Sequence, residues 1–399
     1  MSFFDEMALL PEDPILSLPL AFKADPRPNK VNLGVGSYLD DEGLPYVFPC
    51  VRTAEEKLLR AEKDKEYAPI DGSPLFIQAC VDLVFGAQKK QQIDGRFFAA
   101  QALGGAGALR IGAEVLVQGG FKEIYVPVPT WANHKAIFTR AGLAVKTYRY
   151  YDGEKHQVDF SALCEDVKAM TAGSAILLHV CCHNPSGIDF DGNQWKALSE
   201  LLKKQRVFPF FDFAYQGFDR GIEEDAFPVR LFVEQGHELL VTSSYSKNFG
   251  LYGERVGLLT VVCESSSFVK SIGSQVRQLI RSNYSNPPRH GALIVEAILS
   301  SPELKKGWIE DLANMRMRTH EMRHLFALEL MSKGDPKRWS FIEKEHGFFS
   351  LLGLSDAQVE KLKSEYAIYT AARGRVNVAG LNQHNIDYVI DSILAVTRS

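Results

Sequence analysis

The sequence of 399 residues predicts an α/β protein, with a large domain built on a mostly parallel seven-stranded sheet covered by helices and a smaller α+β domain. Between about 95 and 265, short runs of branched and aromatic residues alternate with helix-like segments, which is typical of strands joined by crossover helices. The runs at 174–180 and 206–211 are almost continuously apolar, as in strands buried on both faces of a sheet.

Seven runs in this region are predicted to form the strands of the large sheet. They are FFAAQAL (97–103), EIYVPV (123–128), AVKTYRY (144–150), SAILLHV (174–180), RVFPFF (206–211), ELLVTS (238–243) and RVGLLTVV (255–262). Segments with helical character lie between them, for example 107–120 and 192–205. Strands that are fed by such crossovers run parallel, with helices on both faces of the sheet.

One long helix is predicted over 300–334. Ser301 is a suitable N-cap, Pro302 suits the first helical position, and Gly334 is a suitable stop. After this helix the pattern changes to three short predicted strands, WSFIEK, FFSLLG and RVNVAG, and two helices, SDAQVEKLKSEY and NIDYVIDSILAVTRS. The change indicates a second, α+β region near the C-terminus.

The domain boundaries follow from these patterns. We assign 46–314 to the large domain, because the α/β alternation lies within it. The smaller domain takes 315–399 together with 12–45, a segment that precedes the alternation. Residues 1–11 form a short apolar N-terminal arm that is either disordered or docked on another surface.

Composition excludes several classes of protein. Hydrophobic residues make up 46%, charged residues 24%, and the formal net charge is -4, which is ordinary for a soluble globular protein and gives no reason to expect a nucleic-acid partner. No apolar stretch approaches the roughly 20 residues that span a bilayer. The N-terminus lacks the basic region of a secretory signal, and the six cysteines fit reduced, buried thiols, so we expect a cytoplasmic protein.

Ligands of open α/β sheets bind at the carboxyl ends of the strands, so the residues that follow each strand are candidates. After 97–103 comes GGAGALR (104–110), where glycines and the start of a helix favour an anion such as phosphate. The alternative is an ordinary tight turn. After 123–128 come Trp131 and His134, which either stack on a flat ring or pack in the core.

The segment CCHNPSG (181–187) follows the strand at 174–180 and contains Asn184 in a turn. A zinc site made by the nearby histidines and cysteines is the alternative there. It lacks the spaced second half of a zinc motif, and alternating strand residues point to opposite faces. We therefore expect no metal.

Two further strand ends carry reactive groups. Asp212 stands in an aromatic run, where a carboxylate needs a partner, and Tyr215 lies three residues on. Capping of a helix is the alternative role for Asp212. Lys247 follows the strand at 238–243 and is accompanied by the hydroxyls of Ser244 and Ser246 and by Arg255, whose planar fork suits a phosphate. A partly desolvated lysine has a lowered pKa, and its neutral amine attacks carbonyl groups.

These groups together match what pyridoxal 5′-phosphate requires. The lysine forms an imine with the aldehyde, and the acid keeps the pyridine nitrogen protonated, so that the ring acts as an electron sink. The amide and the phenol hydrogen-bond the ring oxygen O3′. Each motif alone is a weak signal, but their order at successive strand ends favours one shared site.

With these motifs, the chain resembles the aspartate and aromatic amino acid aminotransferases, a subgroup of the fold-type I pyridoxal-phosphate-dependent transferases. The resemblance covers nearly the whole chain and is most specific in YAPIDGSP, CCHNPSGID, SYSKNFGLYGERVG and IRSNYSNPPRHGA. It implies the following cofactor contacts: Lys247 as the Schiff-base lysine, Asp212 on the pyridine nitrogen, Asn184 and Tyr215 on O3′, Trp131 stacked on the ring, and Gly105, Ala106, Ser244 and Arg255 at the phosphate. It also implies supporting roles for His134 and His179 behind the acid.

The resemblance further implies a homodimer with shared active sites, in which Tyr67 reaches the phosphate of the neighbouring subunit. Arg375 matches the arginine that binds the substrate α-carboxylate, and Arg281 matches the one that reaches a distal carboxylate from the other subunit. Gly36 and Phe349 match positions that line the substrate pocket. Ala106 departs from the family, which commonly has Ser or Thr there, and we expect weaker retention of the cofactor.

The implied reaction is transfer of an amino group from L-aspartate and/or aromatic L-amino acids to 2-oxoglutarate, with ping-pong kinetics. An enzyme that prefers tyrosine or phenylalanine is the alternative within the family. Less favoured are a decarboxylase or lyase of the same fold, a metal-dependent hydrolase based on HVCCH, and a binding module without activity.

Overall fold

The computed structural model describes residues 3–61 and 64–398, apart from the side chains of 87–90. Residues 1–2 of the predicted arm and Ser399 therefore lie outside the described residues. Two compact units divide the chain. The larger unit comprises Pro45–Glu321 and Lys344–Phe348, and the smaller unit holds the rest of the described chain.

Helices recur along the whole described chain. In order they are α1 (Ser17–Ala24), α2 (Pro49–Arg60), α3 (Pro74–Ile93), α4 (Gly104–Gln118), α5 (Asn133–Ala141), α6 (Phe160–Ala169), α7 (Gly192–Gln205), α8 (Phe227–Glu234), α9 (Val269–Asn283), α10 (His290–Ser300), α11 (Pro302–Lys333), α12 (Pro336–Trp339), α13 (Asp356–Tyr366) and α14 (Ile386–Arg398). Short 3₁₀ turns occupy Ser266–Phe268, Ser340–Lys344, Ala372–Gly374 and Val378–Gly380.

The strands in chain order are β1 (Val31–Asn32), β2 (Phe97–Leu103), β3 (Glu123–Val128), β4 (Ala144–Arg149), β5 (Tyr151–Asp152), β6 (Gln157–Val158), β7 (Ala175–His179), β8 (Phe208–Phe213), β9 (Leu239–Ser244), β10 (Val256–Val262), β11 (Phe349–Leu351), β12 (Ile368–Tyr369) and β13 (Arg375–Asn377). Each of the seven runs predicted for the large sheet overlaps a strand of that sheet.

Among the described residues, seven strands form one large sheet in the order β2-β10-β9-β8-β7-β3-β4. The pairs from β9 to β4 are parallel, whereas β10 is antiparallel to both of its neighbours. The predicted mostly parallel sheet is thus confirmed. Because β10 runs in the opposite direction, the residue that precedes it lies at the edge where β2 and β9 end.

The core of the larger unit lies between this sheet and its helices. Strands β7, β9 and β10 are buried along their whole length, as expected when both faces are covered. Helix α4 packs directly on the sheet, because Gly112 lacks a side chain there. A Cβ at Gly112 would lie 2.6 Å from Cζ of Phe210.

The smaller unit contains two short sheets, one made of β1 and β12 in parallel and the other of β11 and β13 in antiparallel register. Helices α13 and α14 pack on each other beside them. The predicted strand WSFIEK is wrong. Its residues belong to α12 and to the 3₁₀ turn Ser340–Lys344. Asp335 caps this helix by accepting a hydrogen bond from the N–H of Lys337, and Pro336 occupies its first position.

Two further observations concern the described part of the chain. Within it, no helix is both long and apolar enough to cross a membrane. All six cysteines fall in this part and are free thiols. Five of them are buried, and Cys164 is partly exposed.

Candidate active site

The candidate residues of the larger unit gather at the carboxyl edge of the large sheet, where open α/β sheets bind ligands. Gly105 follows β2, Trp131 follows β3, Asn184 follows β7, Asp212 lies near the end of β8 with Tyr215 just beyond it, Lys247 follows β9, and Arg255 immediately precedes the antiparallel β10. One edge therefore presents an amine, a carboxylate, a phenol, an amide and a guanidinium group.

Lys247 lies partly buried in the loop after β9. Its Nζ is 4.8 Å from the centroid of the Tyr215 ring. Burial lowers the pKa of Lys247 to about 8, the negative charge of Asp212 opposes this shift, and the positive charge of Arg255 adds to it. About a tenth of the amine is consequently neutral, and nucleophilic, at pH 7, far more than for a lysine with an ordinary pKa.

Asp212 is the penultimate residue of β8, and only 9% of it is exposed. Burial raises the pKa of its carboxyl, but the hydrogen bond that its Oδ2 accepts from Nε2 of His134, at 3.1 Å, lowers it, and the net pKa lies below the usual value. The carboxylate is therefore ionised. We predicted Asp212 just past the strand. It lies within the strand, which also argues against a helix-capping role.

A chain of hydrogen bonds extends behind Asp212. Nδ1 of His134 lies 2.8 Å from Oγ1 of Thr130, which lies 3.3 Å from Nε2 of His179. An ionised carboxylate only accepts, so the proton of His134 sits on Nε2 and Thr130 donates to Nδ1. Burial lowers the pKa of His179 to about 3, so His179 is neutral. Sequence reasoning missed Thr130, although its i,i+4 spacing from His134 was a usable signal.

The ligand atoms of His134, His179 and Asp212 lie within 4.8 Å of one another, a spacing that could hold a metal ion. Two of these atoms already share a hydrogen bond, and the third is joined through Thr130. This pattern satisfies each group with a proton donor or acceptor of the protein itself. We therefore interpret the group as a support for the carboxylate.

The start of α4 forms an anion cradle. Its preceding residue, Leu103, offers no side-chain cap, so the first N–H groups of the helix have no capping side chain and carry the positive end of the helix dipole. A Cβ at Gly105 would lie 3.1 Å from Cβ of Ser244, so any side chain there would crowd the approach. Ala106 follows and is partly exposed.

Arg255 completes this cradle from the start of β10. Its guanidinium donates from Nη1 to the backbone oxygen of Tyr252 at 3.0 Å and more weakly to Oγ of Ser246 at 3.4 Å. A Cβ at Gly104 would lie 2.4 Å from Nη2 of Arg255. The guanidinium thus lies directly against the glycine turn. The hydroxyl of Ser244 faces the same turn, because its Oγ would lie 3.5 Å from a Cβ at Gly105. The donor set and the glycine-lined space fit a phosphate group.

Asn184 and Tyr215 are both buried, with 7% and 6% of their surface exposed. Trp131 is partly exposed and contacts the His134 ring edge-on, with the centroids 5.2 Å apart. A planar ring held between these groups would meet an amide, a phenol and an indole. The observed donors therefore fit the pyridine ring of pyridoxal phosphate as well as its phosphate.

Two predicted residues of the larger unit are on its surface. Tyr67 is 84% exposed, and Arg281 is exposed on α9, where its Nη1 contacts Oγ of Ser285. Their predicted partners belong to another subunit, so these positions agree with exposure in a single chain. Their roles stay predictions.

Arg375, Gly36 and Phe349 lie in the smaller unit. The guanidinium of Arg375 is 4.2 Å above the Phe349 ring, and its Nη2 donates to the backbone oxygen of Gly34 at 2.6 Å. A Cβ at Gly36 would lie 2.6 Å from Cζ of Phe349. The side chain of Asn377 holds this glycine segment by donating to the carbonyl oxygens of Val35 and Ser37. Arg375 is thus buried in a fixed position.

Comparison with known proteins agrees with this geometry. The sequence model of the family aminotransferase class I and II matches residues 28–393. An aspartate aminotransferase from Escherichia coli is 46% identical over 98% of this chain and 100% of its own length. The crystal structure of an aromatic-amino-acid aminotransferase from Burkholderia pseudomallei, covalently bound to pyridoxal phosphate, superposes with a TM-score of 0.95 at 42% identity, covering 99% of this chain and 100% of that one.

A psychrophilic aromatic amino acid aminotransferase from Psychrobacter sp. B6, cocrystallised with aspartic acid, has a TM-score of 0.96 at 36% identity and full coverage of both chains. Sequence and structural similarity over the full length of the chains indicates common ancestry. The chain belongs to the class I and II aminotransferase family. It has the fold-type I architecture and is an enzyme that transfers amino groups with pyridoxal phosphate.

Proposed function

We propose that this aminotransferase moves the amino group of L-aspartate and/or aromatic L-amino acids to 2-oxoglutarate, in two half-reactions with ping-pong kinetics. The observation that carries the proposal is the position of Lys247, whose amine lies over Tyr215 with a pKa near 8 at the sheet edge that also holds Asp212. An enzyme with a preference for tyrosine or phenylalanine is the second candidate, because solved aromatic aminotransferases superpose so well.

The residues of the larger unit would divide the binding of the cofactor among them. Gly105, Ala106 and the helix start would hold the phosphate together with Ser244 and Arg255. Asp212 would accept a hydrogen bond from the protonated pyridine nitrogen, with His134, Thr130 and His179 keeping the carboxylate ionised and oriented. Asn184 and Tyr215 would donate to O3′, and Trp131 would stack on the ring.

Bound pyridoxal phosphate supplies an electron sink for the negative charge that develops at the substrate Cα. Lys247 would bind the cofactor in the resting enzyme and then act as the general acid and base. Its amine, neutral in part because burial lowers its pKa to about 8, would take up the proton that leaves Cα and release it later in the transfer. Tyr215, whose ring lies 4.8 Å from Nζ, would help to orient this amine.

Two arginines would select the substrate. Arg375 would bind the α-carboxylate through its planar fork, and its contact with Phe349 keeps that fork in one orientation. Arg281 of one subunit would bind the distal carboxylate of a dicarboxylic substrate in the site of its partner. The names of the relatives support both substrate classes, since one is an aspartate aminotransferase and another an aromatic enzyme cocrystallised with aspartic acid.

The broader arrangement is part of the same proposal. We propose a cytoplasmic homodimer with shared active sites, in which Tyr67 contacts the partner's phosphate. Free thiols at all six cysteines support a reducing compartment. We also propose 46–314 as the cofactor-binding domain, 12–45 with 315–399 as the smaller domain, and 1–11 as an arm. In support, the side chains with proposed cofactor roles all fall within Pro45–Glu321.

The test is substitution of the lysine. We expect Lys247→Ala to lose nearly all transamination of aspartate, phenylalanine and tyrosine with 2-oxoglutarate, while Lys270→Ala, a change at an exposed lysine, keeps it. Borohydride treatment followed by peptide mass spectrometry should place the reduced cofactor on Lys247. Full turnover by Lys247→Ala, or label at another lysine, would refute the proposal. Rates for each amino donor then decide between the dicarboxylic and aromatic candidates.

A further inference from the structure

A strap of three residues, His346–Phe348, passes behind the proposed cofactor contacts of the larger unit. Phe348 is fully buried, and its ring packs edge-on against Tyr215 and Phe218, with centroid distances of 5.5 Å and 4.7 Å. The strap therefore supports the side of Tyr215 through one ring. Removing that support would leave the phenol free to tilt.

The same strap also touches the loop that carries Asn184. The N–H of His346 donates to the backbone oxygen of Gly187 at 2.5 Å. Gly347 has a φ of +72°, and a Cβ there would lie 2.3 Å from Cβ of Cys182. The strap thus contacts the loop on both sides of Asn184, and a change in its position would move that loop and Tyr215 together.

An ion pair fixes the strap in place. Nδ1 of His346 lies 2.6 Å from Oδ1 of Asp219, whose side chain is 8% exposed. Asp219 sits in the turn that follows Tyr215, and Asp225 holds this turn by accepting the N–H groups of Gly217 and Arg220, both at 2.8 Å. The pair therefore joins the strap to a turn that is itself well ordered.

The charges around the pair indicate what His346 contributes, beside Arg220, whose Nε lies 3.5 Å from Oδ2 of Asp219. Two neighbouring acids are destabilised as anions: burial raises the pKa of Asp225 to about 6 and also raises that of Asp189. Burial likewise raises the pKa of Asp219, but the contact with His346 and the positive charges of His346, Arg220 and His320 together outweigh it, and the net pKa is lowered. The other charged groups that act on this pair are Arg220 and His320. His346 is thus the main counter-charge for a buried carboxylate.

Asp189 organises the other loop in the same way. Its carboxylate accepts the N–H groups of Cys182 at 2.6 Å and His183 at 2.9 Å, directly before Asn184. Each of the two loops that carry a proposed O3′ donor is therefore held by a buried acid, and the strap is the element that touches both. Loss of charge at His346 would leave three carboxylates close together without that cation.

We propose that the His346–Asp219 ion pair is a positioning device that sets Asn184 and Tyr215 jointly for O3′ of the bound pyridoxal phosphate. The inference rests on the proposed function, in which Asn184 and Tyr215 donate to that oxygen. Neither His346 nor Asp219 touches the reacting atoms. Both act through the backbone of the two loops and through Phe348.

The experiment compares wild-type holoenzyme with His346→Asn and Asp219→Asn. Hydrogen bonds from Asn184 and Tyr215 would stabilise negative charge on O3′ and so lower the proton affinity of the chromophore. Weakening both moves the titration of its visible absorption band to higher pH. We expect an upward shift of about half a pH unit, a factor of about three in the equilibrium, and a rise of similar size in the dissociation constant of the cofactor. A purely structural pair would lower the melting temperature and leave the titration unmoved, which would overturn the proposal.

The matched control is His324→Asn, since His324 forms a comparable pair with Glu343 at 2.7 Å, but both side chains are exposed. It should leave the titration of the cofactor unchanged. Tyr215→Phe separates the proposed role of Tyr215 at O3′ from the proposed positioning role of the ion pair. If it fails to move the titration, the proposed role of Tyr215 is wrong, whereas a shift with Tyr215→Phe but none with the ion-pair variants overturns only the positioning role. If His346→Asn does not fold, His346→Gln and Asp219→Asn give the same comparison.

Discussion

Lys247 depends on three influences for its reactivity. Burial alone would favour the neutral amine, the carboxylate of Asp212 favours the ammonium, and Arg255 again favours the neutral form. The resulting pKa of about 8 reflects burial and the charge of Arg255, which lower it, against the charge of Asp212, which raises it. The two charged neighbours can be removed separately, so the balance can be measured one residue at a time.

The first prediction concerns the amine in the apoenzyme. Asp212→Asn should lower the pKa of Lys247 below about 8, because the attraction that favours the ammonium is lost. Arg255→Met should raise it, because a like charge is removed. Competitive labelling with an amine reagent across pH, read by mass spectrometry, measures both shifts. Equal midpoints in all three proteins would show that these charges do not act on Lys247.

The second prediction concerns Ala106 in the phosphate loop. Ala106→Thr should tighten cofactor binding by about 0.5–1.5 kcal/mol, because it restores one hydroxyl donor to an anion site. Space is available, since Ala106 lines a cavity of about 560 Å³. Equilibrium dialysis of the cofactor against apoenzyme measures the change. An unchanged dissociation constant would mean that the cradle of Gly105, Ser244 and Arg255 is already sufficient.

At the scale of elements, the contact between α4 and the sheet depends on a missing side chain. Gly112 of α4 lies so close to Phe210 of β8 that a Cβ would be 2.6 Å from the ring. Helix α4 carries the anion cradle at its first residues, and β8 carries Asp212 near its end. The packing of these two elements therefore sets the distance between the proposed phosphate and ring contacts.

Gly112→Ala should accordingly destabilise the protein by about 1–3 kcal/mol, because the new methyl group overpacks the interface. Gly307→Ala is the matched control in α11, where nothing lies within 4 Å of the added Cβ. It should stabilise the helix by about 0.5–1 kcal/mol. Urea unfolding of both variants tests the difference. A stable Gly112→Ala variant would show that the ring of Phe210 moves aside at little cost.

Sequence patterns predicted these elements to different degrees. The strands of the large sheet and their edge were predictable because apolar runs of that length report burial directly. The antiparallel direction of β10 was missed, although the connection from Tyr245 to Arg255 contains no helix that could serve as a crossover. WSFIEK was wrongly predicted as a strand because its apolar residues were given more weight than Asp335 and Pro336, which mark the start of a helix just before it.

The placement of the candidate site residues was predictable where a residue directly adjoins a predicted strand, as with Lys247 after β9 and Arg255 before β10. The supporting groups were less so, because their partners are distant in sequence. Thr130 is 49 positions from His179, to which it hydrogen-bonds. His346 pairs with Asp219 from a segment that is distant in sequence and contains none of the motifs identified in the sequence. Pairings of this kind depend on the packed structure, and no local pattern reports them.

At the scale of the whole molecule, the proposed homodimer makes a quantitative prediction. Each site would combine Lys247 of one subunit with Arg281 of the other. Lys247→Ala and Arg281→Ala subunits, each poorly active on aspartate alone, should regain activity after joint unfolding and refolding. Random pairing gives hybrids in half of the dimers with one intact site each, so about a quarter of all sites recover. Absence of recovery, with dimers confirmed by light scattering, would contradict shared sites.

The pairing of β10 with β2 has a consequence for biogenesis. Arg255 reaches the carbonyl of Leu103 over a separation of 152 residues, so the anion cradle closes only when distant parts of the polypeptide meet. On the ribosome, the first half of the larger unit would emerge long before it could retain a vitamin-derived ligand. Nascent chains that end before Val256 should therefore remain colourless, however well their earlier strands have collapsed.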